Sequence, residues 1–454
     1  EGHLIISTES NRIFLFNAIA GSARLIHTME AGVYEIRTLL ERVKGEYWIG
    51  TSHGISIYAD GQAVHIDHMD NDSHSISGSD IWSMTRDEKG NVWIGTFYNG
   101  LNLWQNSSNL FSVLYENPSE NSIKGVFIRS LCPDEEGNLW VGTEDGGLNM
   151  INQVTKTVRS YDISGDEGSN INIQGIAISG KDVWIATYEN GVYVFDKEKE
   201  RVRKHFSEPR ENATIRILPH GEILVGSRSG VYSYDESNDS FVLMEKFGNG
   251  FVHSILTDSN MGLWIGTYGQ GLLHCEGKEG PVTRYSVNDC ECGLTNDFIT
   301  SLYEDSHRRL WVTTEGGGLF MVPLEEVKSG SFKFRNLKKN SSSDGLSSNV
   351  TCAVAEDEQG NIWVSTSRGI VQIDADEMTI KEVFIKSSGI IGEQYSYGAC
   401  YTARNGDIFF GTNQGLFGFS PTRINAAMKS CPIYITEIRA DKEDRSTYLH
   451  EPGR

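Results

Sequence analysis

The sequence predicts an all-β protein, a β-propeller of four-stranded blades, with a seven-bladed ring following three blades of a preceding propeller. Three observations carry this. A short motif of the form WIGT recurs ten times along 454 residues. Seven of the nine Trp residues fall at one place in that motif. Each copy reads as short alternating runs separated by Gly-bearing turns, with no sustained helical period.

The Thr of the motif serves as a marker at Thr51, Thr96, Thr143, Thr187, Thr267, Thr314, Thr366 and Thr412, with weaker copies at Thr8 and Ser227. Successive markers lie 40 to 52 residues apart. Trp48, Trp93, Trp140, Trp184, Trp264, Trp311 and Trp363 each stand three places before a marker, and Ile5, Leu224 and Phe409 fill that place elsewhere. A Gly follows nine of the ten markers, from Gly54 and Gly100 through to Gly369 and Gly415.

Each unit reads as four strands. An alternating run such as FIRSLCPD leads into a polar turn, often D-x-x-G-N as at Asp87, Asp134 and Asp357. Gly or Asn there supplies the positive φ of a tight hairpin, and the Asp caps its own turn. The LWVGT strand follows, then a Gly turn, a third strand such as GLNMI and a weaker fourth such as TVRSYD. One such blade has two apolar faces and cannot bury them alone, whereas radial packing buries both. Trp on the second strand is expected to wedge between blades, and the Gly before the marker to allow close approach. A β-solenoid is the alternative architecture, but its coils are shorter and repeat more strictly. Short helical turns are expected only near 322–328.

The last copy, DIFFGTNQGLFGFSP, has no fourth strand, and NLFSVLYENP at 109–118 is a ready donor. Residues 110–115 are therefore expected to pair with 415–419. The expected domains are 1–105 (last three blades of an N-terminal propeller), 106–420 (the seven-bladed ring) and 421–454. In the last segment PIYITEIRA reads as the first strand of a following β-sandwich.

Composition narrows the function. There are 40 Lys and Arg against 61 Asp and Glu, a formal charge of −21. That field repels phosphates, which argues against nucleic-acid binding. No apolar run of about 20 residues exists to span a membrane, so any membrane attachment requires a helix elsewhere in a longer chain. The abrupt start at EGHLIIST reads as a piece of such a chain. The Cys count is seven. Cys132, Cys352 and Cys400 sit in apolar runs and read as small core residues. Cys290 and Cys292 form a C-x-C without a neighbouring His or second pair, so no metal site is expected, and no cofactor motif occurs.

The pattern D-x-x-G-N-hydrophobic-W-I-G-T followed by G-L resembles the two-component-regulator propeller over about residues 1–420. EQYSYGACYTARNGDIFFGTNQGLFGFSPTRI is similar to the blade that closes the second propeller in that family. The segment after it resembles the start of the family's Tyr-rich immunoglobulin-like domain. The resemblance implies the periplasmic sensor region of a Bacteroidetes-type hybrid histidine kinase, two seven-bladed propellers and a sandwich that detect oligosaccharides and switch on polysaccharide-utilisation genes. It also implies a homodimeric parent protein. Kinase activity would belong to that parent, not to these residues, which hold ten repeats where the family holds fourteen.

Within the repeats, the turns after the markers vary, and a rigid scaffold with variable polar loops suits recognition. Sugars stack C–H faces on aromatic rings and pair their hydroxyls with amide, carboxylate and guanidinium groups. The candidate ligand contacts are Glu144, Asp145, Tyr188, Glu189, Arg228, Tyr268, Gln270, Glu315, Arg368, Asn413 and Gln414, with Tyr395 and Tyr397 in the last inter-blade link. A propeller hydrolase or lyase is the rival, with Glu144, Glu189 and Glu315 as its carboxylates. No nucleophile elbow or phosphate loop supports it, and His253 and His307 read as structural or exposed. A protein-interaction scaffold is the third reading.

Overall fold

The computed structural model describes residues 3–29, 35–59, 61–69, 75–88, 90–104, 110–114, 121–164, 171–277, 279–288, 291–330, 332–338, 345–385, 390, 394–429, 439–440 and 443–444. The chain divides into two compact units, 1–109 and 110–454.

The first unit holds three antiparallel sheets. A three-stranded sheet is formed by His3–Ser7, Arg12–Asn17 and Ser22–Thr28, and a four-stranded one by Ile36–Val43, Glu46–Thr51, Gly54–Ala59 and Gln62–Ile66. Ile81–Arg86, Val92–Thr96 and Leu101–Trp104 form a third sheet of three strands.

The second unit is a ring of seven four-stranded antiparallel sheets. Its innermost strands are Ile128–Pro133, Ile173–Ser179, Asn212–Ile217, Val252–Thr257, Ile299–Glu304, Thr351–Glu356 and Tyr395–Thr402. Each touches the next in chain order, and the last meets the first. In the seventh sheet the outer strand is Phe111–Leu114, which pairs with Leu416–Phe419 in the register Phe111↔Phe419 to Leu114↔Leu416. The chain thereby fastens its own ring with one strand from before the first blade. Phe111 carries the seam by packing on Phe417 and Phe419 at ring-centroid distances of 5.5 and 6.0 Å.

The repeat motif has a physical reason at each place. The Trp rings lie between a blade and its successor: Trp311 clusters with Val354, Ile362 and Val364 of the next blade. For Trp93, Trp140, Trp264, Trp311 and Trp363 the indole N–H donates to the Asp six residues earlier, at 3.0 Å for Trp140 to Asp134 and 2.9 Å for Trp363 to Asp357. Trp48 instead donates to Glu46 at 2.7 Å, and Ile178 stands at the Asp place before Trp184. The same Asp accepts the turn's backbone N–H, as Asn138 N to Asp134 Oδ1 at 2.8 Å. The D-x-x-G-N turn is therefore tied to the core by the Trp it precedes. The marker Thr closes the following turn: Thr314 Oγ1 donates to the Gly318 carbonyl at 2.7 Å, and Gly318 takes φ 86°. The Gly before the marker touches the next blade, since a Cβ on Gly266 would come within 2.7 Å of Ile299 Cγ2.

Three sequence expectations are corrected. Cys352 is buried, but Cys132 and Cys400 are only partly covered because their strands line an axial cavity. Residues 421–429, expected to open a β-sandwich domain, form the helix Pro421–Lys429, whose Ile424 packs into the last blade's core. A Pro at the first helical position costs no hydrogen bond, which explains why Pro421 starts a helix rather than ending a strand. The ring unit begins at Leu110 rather than at 106, because its first pairing residue is Phe111. Most of PIYITEIRA lies outside the described residues, as does Cys290. Arg439–Ala440 pairs with Glu443–Asp444 in a two-stranded ladder. The short helix Leu324–Lys328 falls where helical turns were expected.

Candidate functional site

Every blade of this ring repeats one defect on its innermost strand. The innermost strand shifts register against its neighbour between Ile128 and Ser130, Ile173 and Gly175, Asn212 and Thr214, Val252 and Ser254, Ile299 and Ser301, and Thr351 and Ala353. In the seventh blade the shift spans Tyr395 to Cys400. A bulge leaves its extra residue out of the ladder and re-aims its side chain. The residues freed in this way are Arg129, Gln174, Ala213, His253, Thr300 and Cys352, with Tyr397 inside the longer seventh bulge.

All of these except Thr300 line two adjoining cavities over the ring axis. One, of about 330 Å³, is walled by Phe127, Arg129, Val350, Cys352, Ser367, Gln394, Tyr395, Ser396, Tyr397 and Asn413. The other, of about 290 Å³, is walled by Arg129, Glu144, Asn172, Gln174, Tyr188, Asn212, Ala213, Phe251, His253 and Tyr397. Arg129 and Tyr397 belong to both walls, so the two form one cup. Thr300 instead turns into the structure and donates to the Thr351 carbonyl at 2.8 Å.

The cup is polar with aromatic faces. Arg129 Nε donates to Glu144 Oε2 at 2.8 Å. The Glu315 carboxylate pushes up the Tyr268 phenol, and burial, with Glu315 second, pushes up that of Tyr397. His253 stacks on Tyr268 at 5.1 Å and lies 5.8 Å from the Tyr397 ring. Four buried polar atoms on these walls have no protein hydrogen-bond partner: Tyr395 Oη, Asn413 Oδ1, His253 Nε2 and Asn212 Oδ1. Buried polar atoms are ordinarily paired, which sets these four apart from most of the described interior.

Burial lowers the His253 pKa from 6.5 to about 4, against an opposing pull from Glu315. At neutral pH the imidazole is therefore uncharged and presents one donor and one acceptor. Between pH 6.5 and about 4 the unfolded chain binds this proton and the folded one does not. Folding stability should therefore fall as pH drops through that window, by about 3 kcal/mol from this group alone. Comparing chemical unfolding of the wild type and His253→Gln across the window checks this, since the variant should lose that part of the slope.

The sequence-predicted residues divide clearly. Glu144, Tyr188, Tyr395, Tyr397 and Asn413 stand in the cup wall, Tyr268 and Glu315 line neither cavity, and Tyr268 touches the wall through its stacking on His253. Asp145 is turned inward and accepts the Val126 and Phe127 N–H groups at 3.0 and 3.2 Å. Gln270 accepts from Arg284 and donates to the Asn249 carbonyl, and Arg228 reaches Glu211 at 3.5 Å. Glu189, Arg368 and Gln414 are exposed and line neither cavity. Glu144 is engaged by Arg129. His307 is on the surface, 4.0 Å from Glu356.

Sequence reasoning missed Arg129, Gln174 and the role of His253. A signal was present: Arg129, Ala213, His253, Thr300 and Cys352 all stand fourteen places before a marker. The residue type in that column changes from copy to copy, from Arg and His to Ala, Thr and Cys.

Comparison with known proteins places these repeats. A family model described as "Two component regulator propeller" matches residues 75–98, 122–145, 293–316 and 344–368. Four segments of the chain are thus similar to the two component regulator propeller repeat. Each matched segment ends at or just beyond a marker Thr, so it spans the bulged strand, the Asp turn and the Trp strand of one blade.

The chain is 23% identical over 304 residues to Histidine kinase P4 of Formosa agariphila, covering 60% of this chain and 20% of that protein. It is similar to a solved extracellular domain described as that of a hybrid two component system from B. thetaiotaomicron, with TM-score 0.72 and 24% identity, covering 97% of this chain and 59% of that one. A second B. thetaiotaomicron extracellular domain, described as that of a one component system, matches with TM-score 0.53 and 18% identity, covering 93% and 56%. The chain thus spans about three fifths of the solved domain it matches best by TM-score among these, and a fifth of the curated relative. Among the described residues no helix is long and apolar enough to cross a membrane.

Proposed function

We propose that this chain is an extracytoplasmic, periplasmic ligand-sensing region of a hybrid two-component histidine kinase, and that the axial cup of its seven-bladed ring takes an oligosaccharide. The propeller repeats and the similarity to extracellular domains of two-component systems support the first part. The observation that carries the second is the convergence, through successive bulges, of Arg129, Gln174, His253 and Tyr397 on one cup. Guanidinium, carboxylate and amide groups match sugar hydroxyls, and Tyr397, Tyr188, Phe127 and Phe251 offer faces for C–H stacking. Occupancy would be relayed by a homodimeric parent protein to a kinase that controls polysaccharide-utilisation genes.

The test is calorimetry with a panel of glycans against a chain in which both propellers are complete, beside Arg129→Ala and Tyr397→Ala. The expected result is binding of a specific oligosaccharide without turnover, weakened at least tenfold in either variant, about 1.4 kcal/mol or more. Binding of no glycan in the panel, or binding indifferent to both substitutions, would overturn the assignment. Accumulating product, lost on replacing Glu144 or Glu315, would make the ring an enzyme instead.

A further inference from the structure

A second cavity lies on the same axis, further along the same strands. It has a volume of about 570 Å³ and is walled by the innermost strands of all seven blades. Its walls follow a register rule. The residue paired with each blade's Trp position faces it: Cys132 opposite Trp140, Ala177 opposite Trp184, Leu256 opposite Trp264, Tyr303 opposite Trp311, Ala355 opposite Trp363 and Tyr401 opposite Phe409. The seventh such residue is Arg216, opposite Leu224.

Six of these equivalent places carry uncharged side chains and one carries a full positive charge. Among the described residues, no Asp or Glu lines the cavity and Arg216 makes no ion pair. Its one hydrogen bond, from Nη1, goes to the neighbouring Ile215 carbonyl at 3.1 Å. The Arg216 side chain is exposed and opens to the cavity, and a guanidinium remains protonated at any ordinary pH. The remaining wall mixes hydrocarbon from Ile176, Ile178 and Leu302 with hydroxyls from Ser254, Ser301, Tyr303 and Thr402. One planar cationic fork in a partly apolar chamber suits a planar anion with an apolar body.

We propose that this axial cavity is a binding site for a small organic carboxylate, held in a forked ion pair by Arg216 with its apolar part against the strand walls. The site is separate from the oligosaccharide cup and does not depend on it.

Sodium benzoate is the probe, benzyl alcohol its uncharged counterpart and inorganic phosphate the competing oxyanion. Calorimetry and thermal unfolding are run on the wild type, Arg216→Met and Arg216→Lys. Benzoate is expected to bind the wild type and raise its Tm, to bind Arg216→Lys more weakly, and to bind Arg216→Met at least tenfold more weakly or not at all. Benzyl alcohol should give no comparable shift. In anion-free buffer Arg216→Met should unfold close to the wild-type temperature, as substitutions of exposed side chains usually do, which separates lost binding from lost fold. The proposal is overturned by benzoate giving no shift, by an equal shift in Arg216→Met, or by phosphate binding where benzoate does not.

Discussion

Trp264→Ala is expected to destabilise the ring by about 3–5 kcal/mol. The side chain is fully buried. It packs against Leu272 of its own blade and Ile299, Val312 and Phe320 of the next, and it stacks on His274 at a centroid distance of 4.0 Å. Truncation would remove the indole from both blades at once and leave a cavity that two stiff sheets cannot close. It would also take away the N–H that Asp258 accepts at 2.8 Å. Denaturant unfolding of the wild type and variant reads the difference directly. A loss below about 1 kcal/mol would mean that the blade interface does not depend on this ring.

Asp305→Ala should cost a similar amount, about 3–5 kcal/mol, for an electrostatic reason. One carboxylate, itself buried, serves four donors. It accepts Arg309 Nε at 2.5 Å, the Arg309 backbone N–H at 2.9 Å, the His307 backbone N–H at 3.0 Å and Trp311 Nε1 at 2.8 Å. Arg309 is almost as buried, and its other partner, Asp376, is largely exposed. Removing Asp305 strands a cation inside the blade, which is costlier than removing both charges. Arg309→Asn should therefore be mild, within about 1 kcal/mol, a cost typical of one neutral hydrogen bond. Asn138 and Asn361 already fill that place in other blades, where their amides bond the equivalent Asp. Unfolding of the two single variants distinguishes the cases. Equal costs would show that the carboxylate's role is only to cap the turn.

These two side chains also show how much could be read before any fold was known. Trp and Gly beside the marker recur because a blade can bury its faces only against another blade. That requirement repeats along the chain as the blades do. The missing fourth strand of the last copy pointed to the Phe111–Leu114 seam for the same reason, an unpaired edge needing a partner. The Asp of the turn was legible as a cap, but its bond to the Trp indole was not, because the two are joined only once the hairpin closes.

The cup was half legible. Tyr188, Tyr395, Tyr397, Asn413 and Glu144 could be named because they occupy variable turns and links. Asp145, with the same sequence setting as Glu144, points inward, because its carboxylate satisfies two backbone N–H groups of the adjoining link. Arg129, Gln174 and His253 lie inside strands whose alternation suggested blade core. Their exposure depends on a register shift that strand pairing imposes.

The sequence by itself determined the blade, its repeat and its number, because burial of Trp, Gly and aliphatic residues is a local demand repeated unit by unit. Only the tertiary structure decided which side chains meet on the axis. Seven strands converge there from positions about forty residues apart, and where Arg129 or Arg216 points follows from bulge geometry and ladder register, neither of which leaves a composition of its own in the chain.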